Sequence, residues 1–222
     1  MVSVFLNRFR MCDKPLEENF TVAHEAGIPF FSFEDAIRFF GVDPTPDQLL
    51  SLTKQLKREK IHNCKNDFIL VANFPISILC IQERVDDGLF FPDDWYVGKE
   101  FAEFAGNNLH YQLIRKNEVP GSFSKEMDEQ EGLLEKDELV PNTQEMVYAI
   151  IGHFLKTGER LFEGNIHLRT SDCFENNQIP YFSSQEEQVE VGWFDGDGLE
   201  ISSDLDIIEC PSVGLASAFN PC

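Results

Sequence analysis

Residues 189–201 read VEVGWFDGDGLEI, and this stretch decides whether the C-terminal half is a metal-binding helical module or a sheet. Asp195-Gly196-Asp197-Gly198 looks at first like a cation loop. An EF-hand loop needs oxygen ligands at positions 1, 3 and 5, glycine at 6 and a bidentate glutamate at 12. Counted from Asp195, the chain puts Leu199 at position 5, Glu200 where the glycine belongs and Asp206 at position 12. Both flanks alternate with period two, so no helices bracket the run. Val189, Val191, Trp193, Leu199 and Ile201 are all odd-numbered, and they share one face of an antiparallel pair only if partner numbers sum to an even value. That parity excludes a two-residue turn. It predicts a three-residue loop, Gly196-Asp197-Gly198, pairing Asp195 with Leu199 and Trp193 with Ile201 and placing Gly198 at the left-handed position. The stretch is a hairpin.

Upstream lies the strongest helical pattern. Over Pro141–Lys156 the residues Met146, Val147, Ile150, Ile151, Phe154 and Leu155 repeat at the spacing of one buried stripe, and Thr157-Gly158 closes it. Further strands are expected over 165–171, 188–194 and 199–202, and earlier over 67–73 and 109–115. Residues 76–85 fit strand or helix equally. In the N-terminal third, Ser32 can cap a short helix ended by Gly41, and Thr45-Pro46 opens another through about Arg58. Ser124 can cap an acidic helix reaching Asp137. The order predicts an α+β fold: helices in the N-terminal third, and a central long amphipathic helix packed on an antiparallel sheet formed largely by the C-terminal half. It divides either into a helical N-terminal lobe over 1–62 and an α+β domain over 63–222, or not at all.

The 222 residues are long enough for a sizeable core, and 21 phenylalanines against 4 tyrosines and 2 tryptophans supply apolar area that carries no polar group to satisfy. The net charge is −21. After Arg169 no lysine or arginine follows, while eleven acids stand between Asp172 and Glu209. Such a tail repels phosphate backbones and anionic lipid, which argues against direct nucleic-acid or membrane binding and favours a basic protein partner. Six scattered cysteines without a C-x-x-C pair, the absence of a leader pattern at the N-terminus and no run near ~18 apolar residues predict a cytoplasmic protein with reduced thiols.

Few residues invite chemistry. His62-Asn63-Cys64 is one loose pair where structural zinc wants two, so no metal is implied. Pro92-Asp93 with Arg115-Lys116 suggests a metal-dependent nuclease, but Ile114 stands where the second acid is needed. Phosphate-loop, dinucleotide and nucleophile-elbow motifs are missing, and no cofactor is implied. His153 on the central helix, with Glu159 and Arg160 just beyond it, forms a weak catalytic candidate set.

The runs MVYAIIGHFLKTGERLF (146–162), IHLRTSD (166–172), VGWFDGDGL (191–199) and VGLASAF (213–219) resemble the C-terminal half of uncharacterised proteins encoded by bacterial and mobile-element genomes, over roughly residues 109–217. The resemblance implies a microbial, intracellular origin, and nothing about activity carries over from it. From the one-sided charge after Arg169 the expectation is a non-enzymatic binding protein, in its narrower form a phage- or mobile-element-encoded modulator. It would engage a basic partner through Glu186, Glu187, Glu190, Asp204, Asp206 and Glu209. The alternative is an enzyme of unfamiliar type with a pocket at His153, Glu159 and Arg160.

Overall fold

The computed structural model describes residues 13–106, 108–176, 185–205 and 210–222. Its chain opens with helix α1 (Asp13–Ala26), strand β1 (Phe30–Phe31) and helix α2 (Phe33–Phe40). Ser32 and Asp35 form a reciprocal capping box on α2, and Gly41 ends it in the left-handed conformation. Thr45 caps α3 (Pro46–Ser51), which stops short of the expected Arg58. The reason is Asn19 of α1, buried against the next segment: its Nδ2 donates to the Leu52 and Lys54 carbonyls and its Oδ1 accepts from Leu56 N–H. These bonds turn residues 52–56, and a separate helix α4 (Arg58–Cys64) follows.

Strand β2 (Phe68–Asn73) is buried along its whole length. The ambiguous stretch resolves as helix α5 (Ile78–Arg84), capped by Ser77, whose hydroxyl accepts from Cys80 N–H. A short α6 (Glu100–Glu103) and strand β3 (His110–Arg115) come next. The acidic helix expected from Ser124 to Asp137 is reduced to α7 (Met127–Glu131). Ser124 and Asp137 both have positive φ, and buried Gln130 ties α7 down by donating to the Ser122 and Val213 carbonyls.

Helix α8 (Thr143–Thr157) leads into β4 (His167–Asn176), β5 (Gln185–Asp195), β6 (Gly198–Leu205), β7 (Val213–Leu215) and β8 (Ala218–Phe219). The class is α+β, but the strands form two sheets, ordered β1-β2-β3-β8 and β6-β5-β4-β7. Each is mixed, with one parallel pair, β1 on β2 and β4 on β7. Helix α8 runs between them. Tyr148 Oη donates to the Ala72 carbonyl of the first sheet, and Gly152 lies so close to Phe31 of β1 that a Cβ would stand 2.9 Å from its ring. On the other side Thr143 Oγ1 meets Thr170 Oγ1 at 2.8 Å, and Phe154 packs edge-on against Phe194. The predicted stripe is buried from Met146 to Ile151 and half-buried at Phe154 and Leu155, and Tyr148, Ala149, Gly152 and His153 between its members are buried too. An all-round buried helix needs two walls, and the two sheets are those walls.

The hairpin keeps its parity and changes its turn. Val191 pairs with Ile201 and Gly192 with Glu200, an even sum, yet Asp195 pairs with Gly198 across a two-residue turn, Gly196-Asp197. Trp193 and Phe194 together stand opposite the single Leu199. This bulge adds one residue to β5, so an even-sum body coexists with the favoured short turn. It also exchanges the side chains: Phe194 is buried and Trp193, expected inside, faces out, with φ 41°. Trp193 Nε1 donates to Asp195 Oδ2, and Asp195 Oδ1 accepts from Asp197 N–H, so this carboxylate closes its own turn.

Candidate functional site

The second sheet sorts the acids of the C-terminal tail. Directly opposed residues share a face, so the outer face of β4-β5-β6 carries three rows: Glu175 with Glu186; Arg169, Glu190 and Ser202; His167, Gly192 and Glu200. Asp204, opposite Gln188, joins them. Several acids have internal partners. Asp172 sits at a bulge in β4 that brings its Oδ2 to 2.7 Å from Thr143 N–H, at the positive end of α8. Glu200 reaches His167 at 3.4 Å across Gly192, whose missing side chain leaves the gap open; a Cβ there would run into the Ile166 carbonyl.

Glu190 departs from the sequence expectation. It is 3 % exposed, and its carboxylate lies 3.6 Å from the Nε of fully buried Arg169. Arg169 Nη1 also donates to the Lys125 carbonyl and to Gln130 Oε1 of α7, which covers it. Burial pushes the Glu190 carboxyl up to about 7; Arg169 pulls it down, and Asp204 and Glu200 add to the rise. Glu190 is therefore an interior group, not a surface contact.

Glu186 is exposed on the outer face beside exposed Glu175. Among the described residues no lysine or arginine forms an ion pair with either, and like charges opposed in this way cost stability. Glu187 projects to the other face, opposite Phe174, where it accepts from Ser203 Oγ. Strand alternation alone separates it from Glu186. Asp206 and Glu209 lie outside the described residues.

His153 and Glu159 do meet. His153 is 4 % exposed, its Nε2 is 3.1 Å from Glu159 Oε2, and Glu159 lies largely in solvent. Burial lowers the imidazole's proton affinity while the Glu159 contact raises it. His153 borders a pocket of about 210 Å³ lined chiefly by Phe20, Ile28, Phe30 and Phe31. Lys156 at its rim is held by Asp35 and the Phe30 carbonyl, both at 2.5 Å. Arg160 does not join this group. Its guanidinium lies over the rings of Phe154 and Phe194, 5.0 and 5.4 Å from their centroids.

Two further cavities escaped the sequence reading, because their linings come from segments far apart in the chain. One, of about 310 Å³, is lined in part by the half-buried Arg115–Glu138 pair. The other, of about 230 Å³, lies at the N-terminus of α8. Among the described residues no helix is long and apolar enough to cross a membrane. In comparison with known proteins, the chain matches no family model, no curated protein and no solved structure.

Proposed function

We propose that the protein is a non-enzymatic binding protein that engages a basic protein partner through the outer acidic face of its second sheet, centred on Glu175, Glu186 and Asp204. The observation that carries this is the exposed, directly opposed pair Glu175 and Glu186. It is a local cost that a cationic partner would convert into attraction. Glu190 lies beneath this face: burial is the main reason its carboxyl is raised, and Asp204 and Glu200 add to the rise. A mobile-element-encoded modulator of a basic host protein is the narrower form of this reading.

The test is affinity purification with the wild type and with a Glu175→Lys/Glu186→Lys variant, at low and high salt. Basic proteins recovered by the wild type at low salt, and lost both at high salt and with the variant, are the expected result. The variant itself should unfold about as easily as the wild type, because it exchanges one directly opposed like-charge pair for another, a change well within ~1 kcal/mol. Identical recoveries from both proteins at both salt levels would overturn the reading.

The His153–Glu159 contact beside a pocket favours a second reading, general-base catalysis with Glu159 orienting the imidazole. The pocket's equipment argues for the first. Lys156 is already engaged and Arg160 is turned onto aromatic rings, so charge developing on a substrate would find no ready cation.

A further inference from the structure

The cavity at the N-terminus of α8 differs in kind from the other two. Its floor is a chain of buried amides that fix one another: Gln144 Nε2 donates to Asn73 Oδ1 and to the Phe74 carbonyl, each at 3.3 Å, and Asn73 Nδ2 donates to Gln112 Oε1. Asn73, Gln112 and Gln144 are almost wholly buried. Such a network holds its outward groups in place before any ligand arrives. Gln144 still has its Oε1 to offer, and Asn142, whose Oδ1 caps α8 by accepting from Glu145 N–H, still has its Nδ2. Neither atom has a protein partner among the described residues. At the rim stand exposed Asn108 and half-buried His110 and Glu145, with His110 Nε2 facing Glu145 Oε1 at 3.7 Å. Phe104, 40 % exposed, provides an aromatic face at the same rim.

These groups select a chemistry. The lining offers an acceptor, Gln144 Oε1, and a donor, Asn142 Nδ2, which suits hydroxyl groups because each can give and accept. The described lining holds no lysine or arginine, and it does hold the Glu145 carboxylate, so an anion is unwelcome. Glu145 already accepts from Asn142 N–H and faces His110, so it is not free to anchor an amine. A ring with an apolar C–H face would rest on Phe104. The volume lies just under the ~300–1,000 Å³ of drug-sized pockets and leaves room for one small molecule. We propose that the cavity formed by Asn73, Asn142, Gln144 and Phe104 binds a neutral polyhydroxylated ligand, a single sugar ring or cyclic polyol.

Titration calorimetry and saturation-transfer NMR of the full chain would test this with glucose, galactose, mannose and myo-inositol. Glucose 6-phosphate and glucosamine are the charged controls. At least one neutral probe should bind, and more tightly than both charged controls. Phe104→Ala and Asn108→Ala lie at the exposed rim, and unchanged thermal unfolding would certify their folds. The first should weaken binding by about tenfold, the second measurably, while Asn63→Ala in the Arg115 cavity should have no effect. The proposal is overturned if no neutral probe binds at tens of millimolar, if a charged control binds best, or if both rim variants bind like the wild type. None of these outcomes bears on the acidic face, which is on a different sheet.

Discussion

Replacing Glu190 by glutamine should make the protein more stable at alkaline pH, although it removes one half of a buried ion pair. The carboxyl is raised from an ordinary 4.5 to about 7 because desolvation and the neighbouring Asp204 and Glu200 outweigh Arg169. Between those two values the folded protein keeps a proton that the unfolded chain has released. Stability therefore falls as pH rises from about 4.5 to about 7 and levels off above, by roughly 3 kcal/mol for the full interval. Glutamine imitates the protonated acid and should remove that slope. Arg169 does not become an orphan, since it retains the Lys125 carbonyl and Gln130 Oε1. Urea unfolding at steps between about pH 5 and pH 8.5 measures the effect. Wild type and Glu190→Gln should converge at the acid end, with the variant ahead at the alkaline end. Arg169→Met, by contrast, strands the carboxylate and should cost about 3–5 kcal/mol at pH 8, with the double variant recovering most of it. Parallel pH profiles for wild type and Glu190→Gln would refute the reasoning.

Other outcomes follow from local geometry. Glu159→Gln removes what raises His153 and leaves the burial that lowers it, so the imidazole titration followed by NMR should move to lower pH. A base held neutral by burial costs stability as pH falls through its ordinary 6.5, so the same variant should also steepen acid unfolding. Gly192→Ala should destabilise by about 3 kcal/mol in denaturant melts, since the new Cβ meets the Ile166 backbone; a smaller loss than that of an exposed-strand control would count against the close approach. Asn142→Ala breaks the capping box of α8 and should cost about 1 kcal/mol.

Local signals were legible in the sequence wherever one residue decided the matter. Ser32, Gly41, Thr45 and Gly158 cap their helices as their types demand, and the alternation on either side of Asp195 marks the hairpin. What could not be read is tertiary. The stripe on α8 names one buried side, and only the assembled fold shows that a second sheet covers the other. Parity assumed unbroken alternation, and the bulge at Trp193 and Phe194 has no local marker. The break after Ser51 depends on Asn19, more than thirty residues upstream. The acids of the tail look alike on paper. Asp172, Glu190 and Asp195 were separated from Glu186 only when the fold gave them a helix end, a buried guanidinium and a turn to serve.

The first sheet closes with β8, where Phe219 lies beside Leu113 and Ala218 beside Ile114. During synthesis β1, β2 and β3 all leave the ribosome long before their last neighbour exists. Until it arrives, β3 presents a bare row of amides and carbonyls next to an apolar wall, an invitation to pair with another nascent chain. Yield in a cell should thus depend on how long that vacancy lasts, so slowing elongation between β3 and β8 is predicted to send more product into aggregates.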